Sequence, residues 1–543
     1  MADRVILNAR IWTGTNVSVR DAERKREPTA VAIRGDSIVA LGDDESIRMW
    51  IGPNTRVADA RGRRMIPGMT DSHTHIISGG LQLARLNLRD VKDREEFVRA
   101  IGDSAKQKKS GEWVLGGRWS VESWKDARQP TKEWIDPATG DVPVFLPRMD
   151  GHAGLVNSAA LRRAGIDAKG PADPPGGEIV RDPKTGETTG ILKESAMDLV
   201  ERVIPPPSDR ERDDALRRGV EHANSLGITS VHNMSDLWEL EVFRRAHAAD
   251  KLSLRIIAYL SVSDWHVHLE KVKHYPVRDD RYRVAGFKGY MDGSLGSRTA
   301  YMKEPFSDAG PETKHPRGQL NAMADPPEKF REMVAVADRE GLQLAVHAIG
   351  DEANHLLLDA YEYAAARHGP RDRRHRIEHV QHLVVEDIPR LAKLGVVASM
   401  QPYHKADDGR YAEKAIGKER LAGSYAFRQL LDSGAILAFG SDFPVVTLDP
   451  WAGIAAAVGA RTLAGEVWLP THSVALDEAL YAYTAAPAKA VHREERWGTI
   501  EPGSFADLVI LAADPFTIPQ DQLDKVKVFQ TILNGRTVFS QPE

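Results

Sequence analysis

His73-Thr74-His75 follows the apolar run Met65-Ile66-Pro67-Gly68-Met69. Residues i and i+2 of a β-strand project to the same side, so an H-x-H at a strand's end aims two imidazoles at one point, as a metal ion requires. Taken alone, the pair suits a chance surface arrangement equally well. Three later runs close in the same manner: Leu342-Gln343-Leu344-Ala345-Val346-His347, Arg376-Ile377-Glu378-His379 and Ile436-Leu437-Ala438-Phe439-Gly440-Ser441-Asp442. Each is a short apolar run ending on a metal-ligating residue type, which makes His73, His75, His347, His379 and Asp442 candidate ligands. The chain has no cysteine, so disulfides, thiolate nucleophiles, cysteine zinc sites and iron–sulfur clusters are excluded. Any metal must rest on nitrogen and oxygen, a donor set that suits zinc, manganese, nickel or iron, with zinc first by general prevalence.

The elements that must position these residues are legible as further apolar runs: Ile228 to His232, Arg255 to Tyr259, Ala285 to Lys288 and Val396 to Met400. Counted from Met65 there are eight strand candidates. They are separated by helix-like segments such as Glu211 to Leu226, Glu328 to Glu340, Glu352 to Arg367 and Val385 to Leu394. Eight strands alternating with helices predict an α/β fold, a (β/α)8 TIM barrel, in which the active site lies at the C-terminal ends of the strands. The candidate ligands all fall there. The interval from about 78 to 207 is too long for a βα loop and reads as an insertion over the barrel mouth. Residues 1–66 and 487–543 are rich in strand-like runs too few to bury their own faces, which predicts one small composite β-sandwich domain built from both termini, beside a barrel spanning 67–486.

With 543 residues, 42% hydrophobic and 28% charged, the chain has the composition of a globular protein with a large core. Its net charge of −5 and interspersed signs show no basic stripe, so no nucleic-acid partner is expected. No run reaches the ~18 apolar residues of a membrane span, and no signal peptide opens the chain, so a cytoplasmic protein without a membrane partner is expected. Association into a homodimer stays open.

Seven motifs taken in order resemble the amidohydrolase superfamily, and within it the YtcJ-like branch that includes N-substituted formamide deformylases. They are Ile66 to His75, Asp150-Gly151-His152 onward to Asn157, Phe287 to Arg298, Val346 to Asp351, Arg376 to His379, Gly440 to Pro444 and Gly503 to Ile510. The resemblance spans nearly the whole chain. It implies a binuclear centre with His73, His75 and Asp442 on one divalent ion, His347 and His379 on the other, and Lys288, carbamylated by CO2, bridging both. It also implies that His152 reaches from the insertion to polarise the substrate and that Tyr403 and His404 line the pocket. A salt-bridged barrel lysine is the alternative for Lys288.

The chemistry so implied is hydrolysis of a C–N bond in a small amide, formamide or carbamate by a metal-activated hydroxide, with Asp442 shuttling the proton to the leaving amine. A mononuclear deaminase, an ester or lactone hydrolase and a non-catalytic barrel scaffold are the alternatives. Trp119 and Trp124 in the insertion, with Tyr290, Tyr403 and Phe443 after barrel strands, give mouth-facing aromatic residues and predict a small, largely uncharged substrate. Arg298 and His404 could instead receive a carboxylate.

Overall fold

The computed structural model describes residues 1–543 apart from 16–26, 120, 122, 123, 125, 127, 149–152, 175, 176, 262–264, 277, 278, 312 and 543. Eight parallel strands form the central sheet. Numbered within it they are β1 Met69–Thr74, β2 Ile228–Ser235, β3 Arg255–Ser261, β4 Tyr282–Tyr290, β5 Gln343–Ala348, β6 Arg376–His379, β7 Val397–Met400 and β8 Ile436–Phe439. Each strand pairs with the next in sequence, in parallel register. Helices such as Asp209–Ser225, Pro327–Arg339 and Asp351–His368 make the crossovers that parallel pairing demands. The ring closes between first and last strands: Asp442 donates its backbone N–H to His73 O at 2.7 Å, and His75 donates to Phe443 O at 2.8 Å. This is the (β/α)8 TIM barrel that the alternating runs predict.

The run that opens the sequence reading divides in two. Arg64–Pro67 pairs antiparallel with Leu508–Leu511, and only from Met69 does the chain enter the barrel. The break is Gly68, where a Cβ would stand 2.2 Å from Thr229 Oγ1. No larger residue could pass from one sheet to the other at that point. A five-stranded sheet thereby mixes the termini, in the order Arg10–Ile11, Arg64–Pro67, Leu508–Leu511, Val528–Leu533, Arg536–Ser540. A four-stranded sheet comes wholly from Arg4–Leu7, Ala30–Arg34, Ser37–Gly42 and Arg56–Asp59. The two sheets share one apolar core, with Ile6, Val31, Ile33 and Met65 against Leu508, Ile510 and Ile532. Arg255 of β3 ties this part to the barrel through a buried pair with Asp507, Nε to Oδ2 at 2.6 Å.

By compactness the chain falls into two units, one of residues 1–76 with 219–543, the other Ile77–Arg218. The second has its own six-stranded sheet, with Val144–Pro147 at its middle. Alternate residues of that strand face opposite cores. Val144 and Leu146 pack with Phe97, Ile101, Trp119 and Trp124, while Phe145 packs with Trp113, Val156 and Leu192. Among the described residues no helix is long and apolar enough to cross a membrane.

The barrel seam has no room to spare. A Cβ on Gly440 would sit 2.6 Å from both His73 N and Asp71 Oδ1, and 3.0 Å from Ser72 N. Two of those atoms are backbone and the third is a carboxylate bonded to backbone, so none can swing aside. Gly440→Ala is therefore expected to lower stability by roughly 1–3 kcal/mol, the usual cost of overpacking a close-packed interior. Urea unfolding of the metal-free protein checks this, and an unchanged midpoint would refute the tight seam.

Candidate metal centre

The seam is also where the candidate ligands gather. In β1, His73 and Asp71 share one face. The Asp71 carboxylate accepts the N–H groups of His73 and Ser441, each at 3.0 Å, so one side chain knits the end of β1 to the segment after β8. Burial pushes Asp71 up to about 7. Asp442 follows in the left-handed conformation, φ 61°, a region that Asp tolerates better than most residues. Its Oδ1 lies 3.4 Å from His73 Nε2 and 3.3 Å from His75 Nε2. Burial alone would raise Asp442, but His73 and His75 hold it well below the usual carboxylate range.

His379 reaches the same point by a different device. Strand alternation places Arg376 and Glu378 on the barrel interior and would turn His379 away. Its φ of 78° ends β6 and carries the imidazole back, with its ring centroid 4.9 Å from that of His73 and 4.5 Å from that of His347. Ligand atoms of His73, His379 and Asp442 lie within 4.8 Å of one another. His347 stands beside them on β5, and His75 is the most exposed of the set, its side chain 33% accessible.

Three of the imidazoles are held as neutral tautomers with one nitrogen pinned. His73 Nδ1 meets Glu378 Oε2 at 2.6 Å, His379 Nδ1 meets Gln401 Oε1 at 2.8 Å, and His347 Nε2 meets Gly293 O at 2.9 Å. Burial, followed by the charge of Lys288, lowers His73 to about 4 and His347 to about 3; burial also carries His379 well down. A neutral ring that gives its N–H to an oxygen keeps a lone pair on the other nitrogen. The free atoms are thus Nε2 of His73 and His379 and Nδ1 of His347. Together with Asp442 this donor set fits a divalent cation, and the pinning oxygens supply the outer hydrogen bonds that orient histidine ligands.

The outer partners are what sequence reasoning missed. Glu378 lies inside a quoted motif, and its i, i+2 spacing from Arg376 was a usable signal for a shared interior face. Asp71, two residues before His73, and Asp292 also lie inside such motifs, whereas Gln401 had no such signal. The Asp292 carboxylate accepts from Tyr301, Ile349 and Gly350 backbone N–H groups, clamping the glycine-rich loop after β4 to the end of β5 beside His347. Glu378 would be raised by burial, but Arg376 and His73 hold it far below the carboxylate range.

The remaining expected residues divide. Lys288 on β4 is 2% exposed, with its Nζ 5.1 Å from the Tyr290 ring centroid. Tyr290 lies 5.9 Å from the His347 ring and shares a 3.1 Å hydrogen bond with Ser261. His404 stacks on His379, planes 6° apart at 6.2 Å, and Tyr403 precedes it on the helix Pro402–Asp408. Phe443 is buried, its ring 5.9 Å from His222. Trp119 needs correction as a pocket wall. It is fully buried in the core of the second unit, with its Nε1 donating to Leu146 O at 2.8 Å, and Trp124 is buried likewise with its N–H on Val91 O. Their large apolar rings serve packing there. Arg298 also departs from the expected role. Its guanidinium is engaged by Asp308, NH2 to Oδ2 at 2.6 Å, and by Leu295 O, leaving no free fork for a substrate carboxylate. His152 lies outside the described residues.

Residues 56–539 match the amidohydrolase family. The chain is 35% identical to the protein LONG AFTER FAR-RED 3 of Arabidopsis thaliana, over 99% of this chain and 92% of that one. It is 28% identical to an N-substituted formamide deformylase of Arthrobacter pascens, over 98% of each. In three dimensions it is similar to a metal-dependent hydrolase of Pyrococcus horikoshii OT3, with a TM-score of 0.76 and 26% identity, covering 95% of this chain and 99% of that one. The chain belongs to the amidohydrolase family. It is a metal-dependent hydrolase.

If Glu378 orients His73 for a metal, Glu378→Gln should weaken metal binding by about 10–100-fold, the usual penalty for losing such a partner. Glu378→Asp, which keeps the charge opposite Arg376 but shortens the reach, should fall between. Chelator competition on folded protein measures both. Equal metal affinity in all three proteins would remove Glu378 from the centre.

Proposed function

We propose that this hydrolase cleaves a C–N bond in a small amide, formamide or carbamate. In this reading two divalent ions, zinc first among them, are held by His73, His75, His347, His379 and Asp442. The observation that carries it is the set of neutral imidazoles with pinned tautomers facing an ionised Asp442. Ions held there supply Lewis acidity and a water that ionises near neutral pH. Asp442 is the chain's proton carrier: its carboxylate takes a proton from the attacking water and returns it to the leaving nitrogen.

Lys288 is assigned the bridge. It is buried, and among the described residues it has no ion pair or hydrogen bond, which weakens the salt-bridge alternative. Burial lowers its ammonium to about 8, so a neutral fraction is present near neutral pH. The neutral amine attacks CO2, an N–C bond forms, a proton leaves, and a carbamate anion with two donor oxygens results. One observation favours a single-ion alternative, a deaminase: among the described residues the ligand atoms that converge within 4.8 Å are those of His73, His379 and Asp442. Metal analysis of loaded protein separates the two. Two ions per chain and a carbamate signal from 13C-bicarbonate, lost in Lys288→Ala, are the expected results; one ion and no such signal would replace the binuclear reading.

For the substrate, Tyr290, Tyr403 and His404 are proposed to line the pocket, and His152 is given carbonyl polarisation on the family pattern alone. With Arg298 committed to Asp308, no fork is left there for a carboxylate. Neutral N-substituted amides or formamides should therefore exceed matched N-acyl amino acids in kcat/KM by about tenfold or more, ~1.4 kcal/mol in the transition state. Steady-state kinetics on such pairs, with esters and lactones alongside, tests the assignment. Preference for the amino acid series, or turnover of esters alone, would overturn it.

A further inference from the structure

At the N-terminal ends of β4 and β5, on the side of the barrel away from the ligand-bearing strand ends, an open cleft of about 480 Å3 is bordered by Arg283, Gln343, Arg371, Arg373, Asp372 and Arg493. A volume of this size suits a small organic molecule. Active sites in this fold lie at the opposite ends of the strands, so a ligand here is not the substrate.

The cleft has more guanidinium than the nearby carboxylates can satisfy. Asp338 alone receives both Arg371, NH2 to Oδ1 at 2.5 Å, and Arg373, Nε to Oδ1 at 2.7 Å, together with His368 and His375. Asp280 receives Arg493 at 2.8 Å and Arg496 at 3.5 Å. Asp372, the acidic residue on the cleft wall, is taken by Arg374 at 2.7 Å, which also holds Glu494 at 2.8 Å. Among the described residues Arg283 makes no ion pair, and Asp280 attracts it only from a distance. The Arg283 NH2 donates to Val491 O at 2.6 Å, its Nε is buried without a partner, and its NH1 has no protein acceptor among the described residues. Burial, followed by the neighbouring charge of Arg493, lowers Arg283 to about 10. Arg371 likewise spends only NH2, leaving Nε and NH1 free of protein acceptors among the described residues.

Five N–H groups per guanidinium, in a planar fork, match the oxygens of a carboxylate or phosphate. We propose that this cleft is a binding site for a small organic oxyanion bearing phosphate or carboxylate groups, with Arg283 as its principal anchor and the free edge of Arg371 and the NH2 of Arg493 as its flanks, the Nε and NH1 of Arg493 being held by Asp280 and His492 O. The site is separate from the metal centre.

Calorimetric titration of the metal-loaded full chain with sulfate, a tetrahedral dianion that stands in for phosphate, and with succinate, a dicarboxylate, tests this. Saturable binding below roughly 10 mM is expected for at least one of them, and the tighter probe names the ligand's chemistry. Arg283→Met, which breaks no ion pair, should weaken that binding at least about tenfold, and Arg283→Lys should recover only part of it because the fork is lost. Arg48→Met, on an exposed helix of the N-terminal part, should change nothing. Absence of saturable binding with both probes, or equal affinity in folded Arg283→Met, would overturn the proposal.

Discussion

One buried ion pair on the barrel interior, Arg376 with Glu378, supports most of what surrounds it. Both side chains are 0% exposed, and Arg376 Nε meets Glu378 Oε1 at 2.8 Å. Charges removed from water cost several kcal/mol each unless their remaining hydrogen bonds are satisfied. Arg376 satisfies its own by reaching across the barrel: NH2 donates to Ser72 O of β1 at 2.6 Å and to Ser399 Oγ of β7 at 2.9 Å, and NH1 to His232 Nδ1 of β2 at 2.6 Å. Strands distant in sequence are thus tied to one guanidinium. Losing either partner would leave the other buried and unpaired, a defect of about 3–5 kcal/mol. Because the second carboxylate oxygen of Glu378 takes the His73 N–H, the same pair decides which nitrogen of His73 is left for a metal.

Barrel closure and ligand geometry are likewise one problem. Asp71 joins the two edges of the seam through the N–H groups of His73 and Ser441, and the backbone bond from Asp442 to His73 O adds a second tie. Two proposed ligands, His379 and Asp442, carry positive φ at strand ends. Such conformations persist where the surroundings over-determine them. Here Gln401 holds the His379 ring, and the seam bonds hold Asp442. Strain and restraint lie within the same few residues, so the ligand positions are built by the fold rather than by flexible loops.

What was legible in the sequence follows from this. The strand-end candidates could be read because parity and apolar runs are local signals, and eight such runs in order define the barrel. The split at Gly68 could not be read, since it depends on Thr229, far along the chain. Trp119 and Trp124 carry the composition of pocket walls, yet composition cannot tell an aromatic ring in a pocket from one in the core of an inserted unit. Arg298 was available as an anion anchor until its distance to Asp308 was known. Glu378 escaped notice as a partner of His73 because the two are 305 residues apart, and nothing short of the fold brings them to 2.6 Å.

The interior beneath the metal centre is unlike the branched aliphatic layers common in such barrels. From the centre downward run His73, Glu378, Arg376, Tyr259 and Gln343, with Arg376 NH1 to Tyr259 OH at 3.4 Å and Tyr259 OH to Gln343 Oε1 at 2.5 Å. Gln343 then donates to Ala490 O at 2.8 Å, near the far end of the barrel. A buried polar chain is tolerable only when nearly every member is paired, since a half-satisfied one is worse than an apolar core. Arginine is what makes this chain closable. A lysine at position 376 would bring the charge but not the planar fork that reaches Glu378, Ser72, Ser399 and His232 together. The guanidinium's shape, more than its charge, therefore links the strand order of the barrel to the orientation of His73.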